Sequence, residues 1–315
     1  MGLHLPLIDL RGEGFGRRRI VAAAEAARDA GIAAVSANDH LVFSRPWLDG
    51  LTALAAVIEH SGEMALATTT ALPVVRGPVQ AAKALAALDL ISGGRLEASV
   101  GPGSSARDYA AAGIPFDERW PRYDESLRIL RAALRGEAIA GRLRFHPEPP
   151  PLEPRPDRAI PIWVASWGSE AGLRRVARLG DGWLASSYNT NPALFAQGRL
   201  RLEQELAKQG RESEDFGAAL ATMWTWVAES EDESEAVVRD VLGPMLGRDP
   251  DDLRERVAIG PPSRIAELLE AYARAGCDRV YVWPLGDEVR QLNLIVEHVL
   301  PLAASVTVRG PVQTM

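Results

Sequence analysis

The chain has 315 residues, 47% of them hydrophobic and 24% charged, and a net charge of −7. This is globular composition, long enough for two domains or for one large α/β barrel. The acidic balance argues against a nucleic-acid partner, and no apolar run reaches the length of a membrane span.

In chain order, the amino-terminal Met1-Gly2-Leu3-His4-Leu5-Pro6 lacks the basic-then-apolar pattern of a secretory leader, so a cytoplasmic location is expected. Strands are expected near 3–8, 33–37, 64–70, 95–100, 161–165, 182–186, 218–227 and 279–283. Helical periodicity is clearest at 17–30, 78–91, 124–135, 192–209 and 263–275. Three helices end on a repeated phrase, Ala27-Arg28-Asp29-Ala30-Gly31, Ala177-Arg178-Leu179-Gly180 and Ala273-Arg274-Ala275-Gly276. In each, glycine caps the helix and a strand follows. The strands are apolar on both faces, as in a parallel sheet covered on both sides. Ser230 and Glu233 have the spacing of a capping box. Residues 138–160, rich in proline and arginine, break the alternation as an extended excursion before the fifth strand. Eight strands alternating with helices predict a single (β/α)8 TIM barrel over 1–315, with that excursion as an insertion.

Barrel active sites lie at the carboxyl ends of the strands. There the sequence places Asn38, Asp39 and His40, then Thr69 and Thr70, then Gly101, Pro102, Gly103 and Ser104. The fifth strand leads into Ser166, Trp167, Gly168 and Ser169 at the start of a helix, and the sixth into Ser187, Tyr188 and Asn189. His40 follows a buried strand beside an acid and could protonate or position a reacting group, or be a surface or helix-capping histidine. Asp39 could orient it or simply cap the turn. Glycines at 101 and 103 allow close backbone approach to a ligand, or only a tight turn. Free amides and hydroxyls at Ser166–Ser169 suit a cofactor phosphate, or an ordinary helix cap. Trp47 and Trp167 could stack on a flat ring or pack.

Other chemistries lack their motifs: no dinucleotide-binding glycine fingerprint follows the first strand, and no phosphate loop, His-Glu-x-x-His or Gly-x-Ser-x-Gly occurs. The five histidines are scattered, so no metal site is expected. Cys277 is the single cysteine, which excludes an internal disulfide; it reads as a packed thiol.

The ordered series Asn38-Asp39-His40, Arg76-Gly77-Pro78, Leu88-Asp89-Leu90-Ile91-Ser92-Gly93-Gly94-Arg95 and Val100-Gly101-Pro102-Gly103 resembles the luciferase-like superfamily of flavin- and F420-dependent oxidoreductases. Arg119 with Asp124-Glu125, Pro161-Ile162-Trp163-Val164-Ala165, Gly180-Asp181-Gly182-Trp183 and Gly260-Pro261-Pro262 extend the likeness over nearly the whole length. The resemblance implies a cofactor ring at the barrel mouth and a non-proline cis peptide at Thr69–Thr70. It also implies cofactor contacts from Thr69, Thr70, Gly101, Gly103, Ser104, Ser166, Trp167, Gly168 and Ser169, and chemistry at His40 and Asp39. Asp-His after the second strand is similar to members that use F420, with FMN as the alternative. The expected function is hydride transfer to or from a small organic substrate. The rivals are an FMN-dependent monooxygenase and a non-catalytic flavin-binding protein. Ser104 stands where sugar-phosphate dehydrogenases of this superfamily carry glutamate, and Lys83 and Lys208 are the only lysines, so glucose 6-phosphate is not the expected substrate. The superfamily further implies a homodimer packed through helices near the second and third barrel units; the apolar run at 51–58 suits that or simple core packing.

Overall fold

The computed structural model describes residues 1–139, 141–212 and 214–304. Its parallel strands are β1 (Gly2–His4), β2 (Ala34–Ala37), β3 (Ala65–Thr68), β4 (Leu96–Val100), β5 (Ile162–Ala165), β6 (Gly182–Ser186), β7 (Gly217–Val227), β8 (Ala258–Gly260) and β9 (Arg279–Pro284). Eight of them close in the order β1-β2-β3-β4-β5-β6-β7-β9, with β9 pairing back onto β1, and helices surround the ring. This is the expected (β/α)8 barrel. β8 is a ninth strand that the sequence did not reveal, laid along the carboxyl end of β7 through Thr225↔Ala258 to Val227↔Gly260.

Boundaries moved for local reasons. The first strand stops at His4 because Pro6 has no N–H for the ladder; Ile8 instead forms an antiparallel bridge to Trp47. β3 stops at Thr68, and the Thr69–Thr70 peptide beyond it is cis. The helix expected from 124 begins at Arg119 and tolerates Pro121 in its first turn, where amides lack helical partners. Ser230 does cap its helix by accepting from Glu233 N at 3.1 Å.

Small residues dominate the barrel interior: Ala34, Ala65, Ala67, Ala219 and Ala221 cluster there with Leu184 and Tyr281. At the amino end the space is filled by long polar side chains. Tyr281 Oη donates to Glu97 at 3.0 Å, and Arg279 pairs with the same carboxylate. Trp163 lies flat over two glycines: a Cβ on Gly182 or Gly217 would come 2.4 or 2.6 Å from its ring.

β7 carries one extra residue. Leu220 pairs with Val280 but Met223 with Val282, and within the bulge Thr222 holds φ +55°, an outlier for a β-branched side chain. Ala219 and Ala221 face the interior, whereas beyond the bulge Trp224 and Trp226 turn to that side and Met223 and Val227 pack outward. Ser186 Oγ lies 2.8 Å from Thr222 Oγ1, and Ser187 Oγ donates to Thr222 O, tying the bulge to the end of β6.

The excursion has neither helix nor strand among its described residues. Two buried carboxylates on the surrounding helices anchor it. Glu125 accepts from Phe145 N at 2.9 Å, from Arg144 N and from His146 Nδ1 at 2.7 Å, and Asp89 pairs with Arg158.

Candidate active site

The residues after β2 are set by hydrogen bonds that reach across the barrel mouth. His4 is fully buried; its Nδ1 donates to Leu5 O at 2.7 Å and its Nε2 accepts from Asn38 N at 3.2 Å. Burial pushes this imidazole down to about 3, so it is a neutral strut. Its ring stacks on Trp283 at 3.4 Å, and Trp283 stacks on Trp224 at 4.0 Å.

Asp39 does not orient His40. Its carboxylate is gripped by Arg76, with Nη2 donating to Oδ1 at 2.6 Å and Nε to Oδ2, and it also accepts from Leu72 N at 3.2 Å. Arg76 pairs at the same time with Asp49, the cap of the helix Gly50–Ala56. These charge-assisted bonds hold the Arg76 guanidinium well above its ordinary value despite partial burial. The Arg76-Gly77-Pro78 segment thus serves as the clamp on the acid beside His40.

The partner of His40 is Asp108, which the sequence reading missed. Asp108 is fully buried, and its Oδ2 lies 2.7 Å from His40 Nδ1. Its Oδ1 accepts from Leu41 N and Val42 N, both at 2.8 Å. Phe43 and Trp47 flank the imidazole at 4.5 and 4.6 Å between ring centroids. Trp47 Nε1 donates to Asn38 Oδ1 at 3.2 Å and its ring meets Trp283 edge-on at 5.7 Å.

The other expected residues fall into two groups. Thr69, Thr70 and Gly101 meet at the ends of β3 and β4. Among the described residues the buried Thr69 hydroxyl has no partner, nor has that of Ser36 on β2. Gly101 sits against Thr70: a Cβ there would lie 2.9 Å from Thr70 Oγ1. Gly103 turns the chain at φ +80°, and Ser104 is exposed. At the end of β5, Gly168 N donates to Ser166 Oγ at 3.2 Å, and Ser169 caps the helix Glu170–Leu179 by accepting from Gly172 N at 3.2 Å. Gly172 permits this crowding, since a Cβ would fall 2.2 Å from Ser166 Oγ. Trp167 is 57% exposed and projects from that turn. No group of three or more His, Cys, Asp or Glu residues among the described residues could hold a metal ion.

Unpartnered buried hydroxyls below the mouth, a glycine where a side chain would collide, and a hydroxyl-bearing helix start fit a planar cofactor with polar edges and a phosphate.

Comparison with known proteins agrees with this architecture. The profile of the luciferase-like monooxygenase family matches residues 6–245. The chain is 30% identical over 253 residues to the F420-dependent hydroxymycolic acid dehydrogenase of Mycobacterium tuberculosis, covering 72% of this chain and 69% of that protein. It is 28% identical to an F420-dependent glucose-6-phosphate dehydrogenase of Kribbella flavida, over 66% of this chain and 65% of that protein. Among solved structures, an F420-dependent secondary alcohol dehydrogenase in complex with an F420-acetone adduct superposes with a TM-score of 0.80 at 15% identity, covering 96% of this chain and 98% of that one. The chain belongs to the luciferase-like monooxygenase family and is a luciferase-like oxidoreductase.

Proposed function

We propose that this protein moves a hydride between a deazaflavin of the F420 type and a small organic substrate, with His40 exchanging the accompanying proton. The observation that carries the reading is His40 itself: at the barrel mouth, one ring nitrogen is engaged by Asp108 and the other has no partner among the described residues. A deazaflavin supplies a carbon that accepts or releases hydride when bound. Thr69, Thr70 and Gly101 would border its ring. Ser166, Gly168 and Ser169 would take its phosphate at the helix start, with Trp167 beside them, and Gly103 and Ser104 would border the substrate side. Asp39 holds the loop through Arg76. The F420-dependent relatives support this choice of cofactor over FMN.

Titration of the purified protein with F420 and with FMN, each in both redox states, tests the reading. Micromolar or tighter F420 binding is expected; FMN binding without F420 binding would transfer the assignment to a flavin monooxygenase. His40→Ala is expected to bind F420 like the parent but to lose roughly 10²–10⁴-fold in kcat. A variant that retains full turnover overturns the role given to His40.

A homodimer in the cytoplasm completes the proposal. The run at 51–58 is largely consumed by the core of its own chain, since Leu51, Leu54 and Val57 are buried. Support for association comes instead from Leu90 and Ile91, which are exposed on the adjacent helix Pro78–Ile91.

A further inference from the structure

We propose that Asp108 is the positioning residue that fixes the tautomer and orientation of His40, an inference that rests on the assignment of His40 as the proton-exchanging group. Asp108 is the third residue of the helix Ala106–Ala111, whose cap, Ser105, lies three residues earlier. In a capping box an acid at that place reaches back to the amide of the cap. Here it turns the other way, across 68 residues of sequence, and gives its oxygens to one face of the β2 loop. Three donors converge on it: the His40 ring and the amides of Leu41 and Val42.

A carboxylate that already takes two backbone N–H groups acts toward the ring as an acceptor. Nδ1 therefore carries the hydrogen, and Nε2 keeps its lone pair. Nε2 has no partner among the described residues, and Phe43 and Trp47 restrict the tilt of the ring. The neighbouring acid, Asp39, is committed to Arg76, so Asp108 is the carboxylate that engages the ring. In the oxidative direction the substrate hydroxyl gives its proton to Nε2. The O–H bonding pair becomes the second carbon–oxygen bond, and the hydride leaves the carbinol carbon with two electrons for the bound deazaflavin. Reduction of a carbonyl runs the same steps backwards. The two amide bonds add a second effect, because they seat the turn from which the exposed Leu41 and Val42 side chains project beside His40.

Two measurements test this. Nitrogen NMR of histidine-labelled protein, with His40 assigned by its loss in His40→Gln, should show the hydrogen on Nδ1 in the unmodified chain at neutral pH. A hydrogen on Nε2 in the neutral ring overturns the proposal without any activity being measured. Asp108→Asn, whose amide can donate to Nδ1 and invert the tautomer, should lower kcat roughly 10²–10⁴-fold while the F420 dissociation constant changes less than about threefold. Asp108→Glu should recover part of that loss. A merely structural Asp108 would instead weaken F420 binding or folding in both variants and leave kcat per bound molecule intact, which would overturn the proposal. If His40→Ala retains turnover, the functional reading fails, and the NMR result still decides whether Asp108 sets the tautomer.

Discussion

Two acids flank the same loop and do different work, and stability measurements can separate the acid that holds the loop, Asp39, from the base beside it, His40. Asp39 is bound on both oxygens by Arg76, and its side chain is almost wholly buried. Asp39→Asn removes one charge of a buried pair and leaves the guanidinium with Asp49 alone. It is expected to cost roughly 3 kcal/mol of folding stability, at the low end for a broken buried ion pair. His40→Ala, at a partly exposed ring, should cost no more than about 1 kcal/mol. Denaturant unfolding of the two variants gives the comparison; equal losses would contradict the division between a scaffold acid and a reacting base. At this scale the sequence misleads by adjacency. Asp39 is next to His40 in the chain and turned to Arg76 in space. Asp108 is distant in sequence, and its Ser105-x-x-Asp108 spacing resembles a helix cap.

Among the elements, the excursion before β5 makes a pH-dependent prediction. Burial raises the pKa of Glu125, but the Arg144 amide, the His146 ring and the Phe145 amide outweigh it, and the carboxyl ends below its usual value. A carboxyl lowered by folding stabilises the folded form at pH values above its unfolded pKa, about 4.3. That contribution is lost as the pH falls from there through the lowered folded value. Hydrogen exchange at residues 144–146 should therefore accelerate, relative to the β-strands, as the pH falls below about 4, and in Glu125→Gln it should already be fast at neutral pH. Unchanged protection in the variant would show that the anchor lies elsewhere. Barrel strands and helix ends were legible in the sequence because their signals are local: apolar runs, glycine caps and the Ser169 cap. β8 was not, because three residues are too few for a periodic pattern and its pairing is with the distant end of β7.

At the level of the whole molecule, the ring closes around an interior that is bulky at the amino end and, toward the mouth, small except where Trp224, Trp226 and Trp283 line the β7–β9 side. Trp163 fills the space left by Gly182 and Gly217, so neither glycine tolerates a side chain. Gly182→Ala is expected to destabilise by about 1–3 kcal/mol through overpacking, read from the shift in denaturant midpoint. An unshifted midpoint would mean that the indole can move away without cost. Above this layer, alanines and serines leave room beneath the mouth, where Thr69 and Ser36 keep unpartnered hydroxyls.

The extra residue in β7 has a consequence for how chains of this kind can vary. Strand side chains alternate, so one surplus position exchanges the two faces for everything downstream. Unbroken alternation past Ala221 would put Trp224 and Trp226 on the helical side and Met223 and Thr225 at the mouth; the bulge at Thr222 reverses that assignment, and deleting Thr222 would straighten the ladder with Met223 still opposite Val282. The aromatic wall behind His40 is thus decided by the bulge in β7 as well as by its composition. A relative with a β7 of the same length but no bulge would present different chemistry to its ligand.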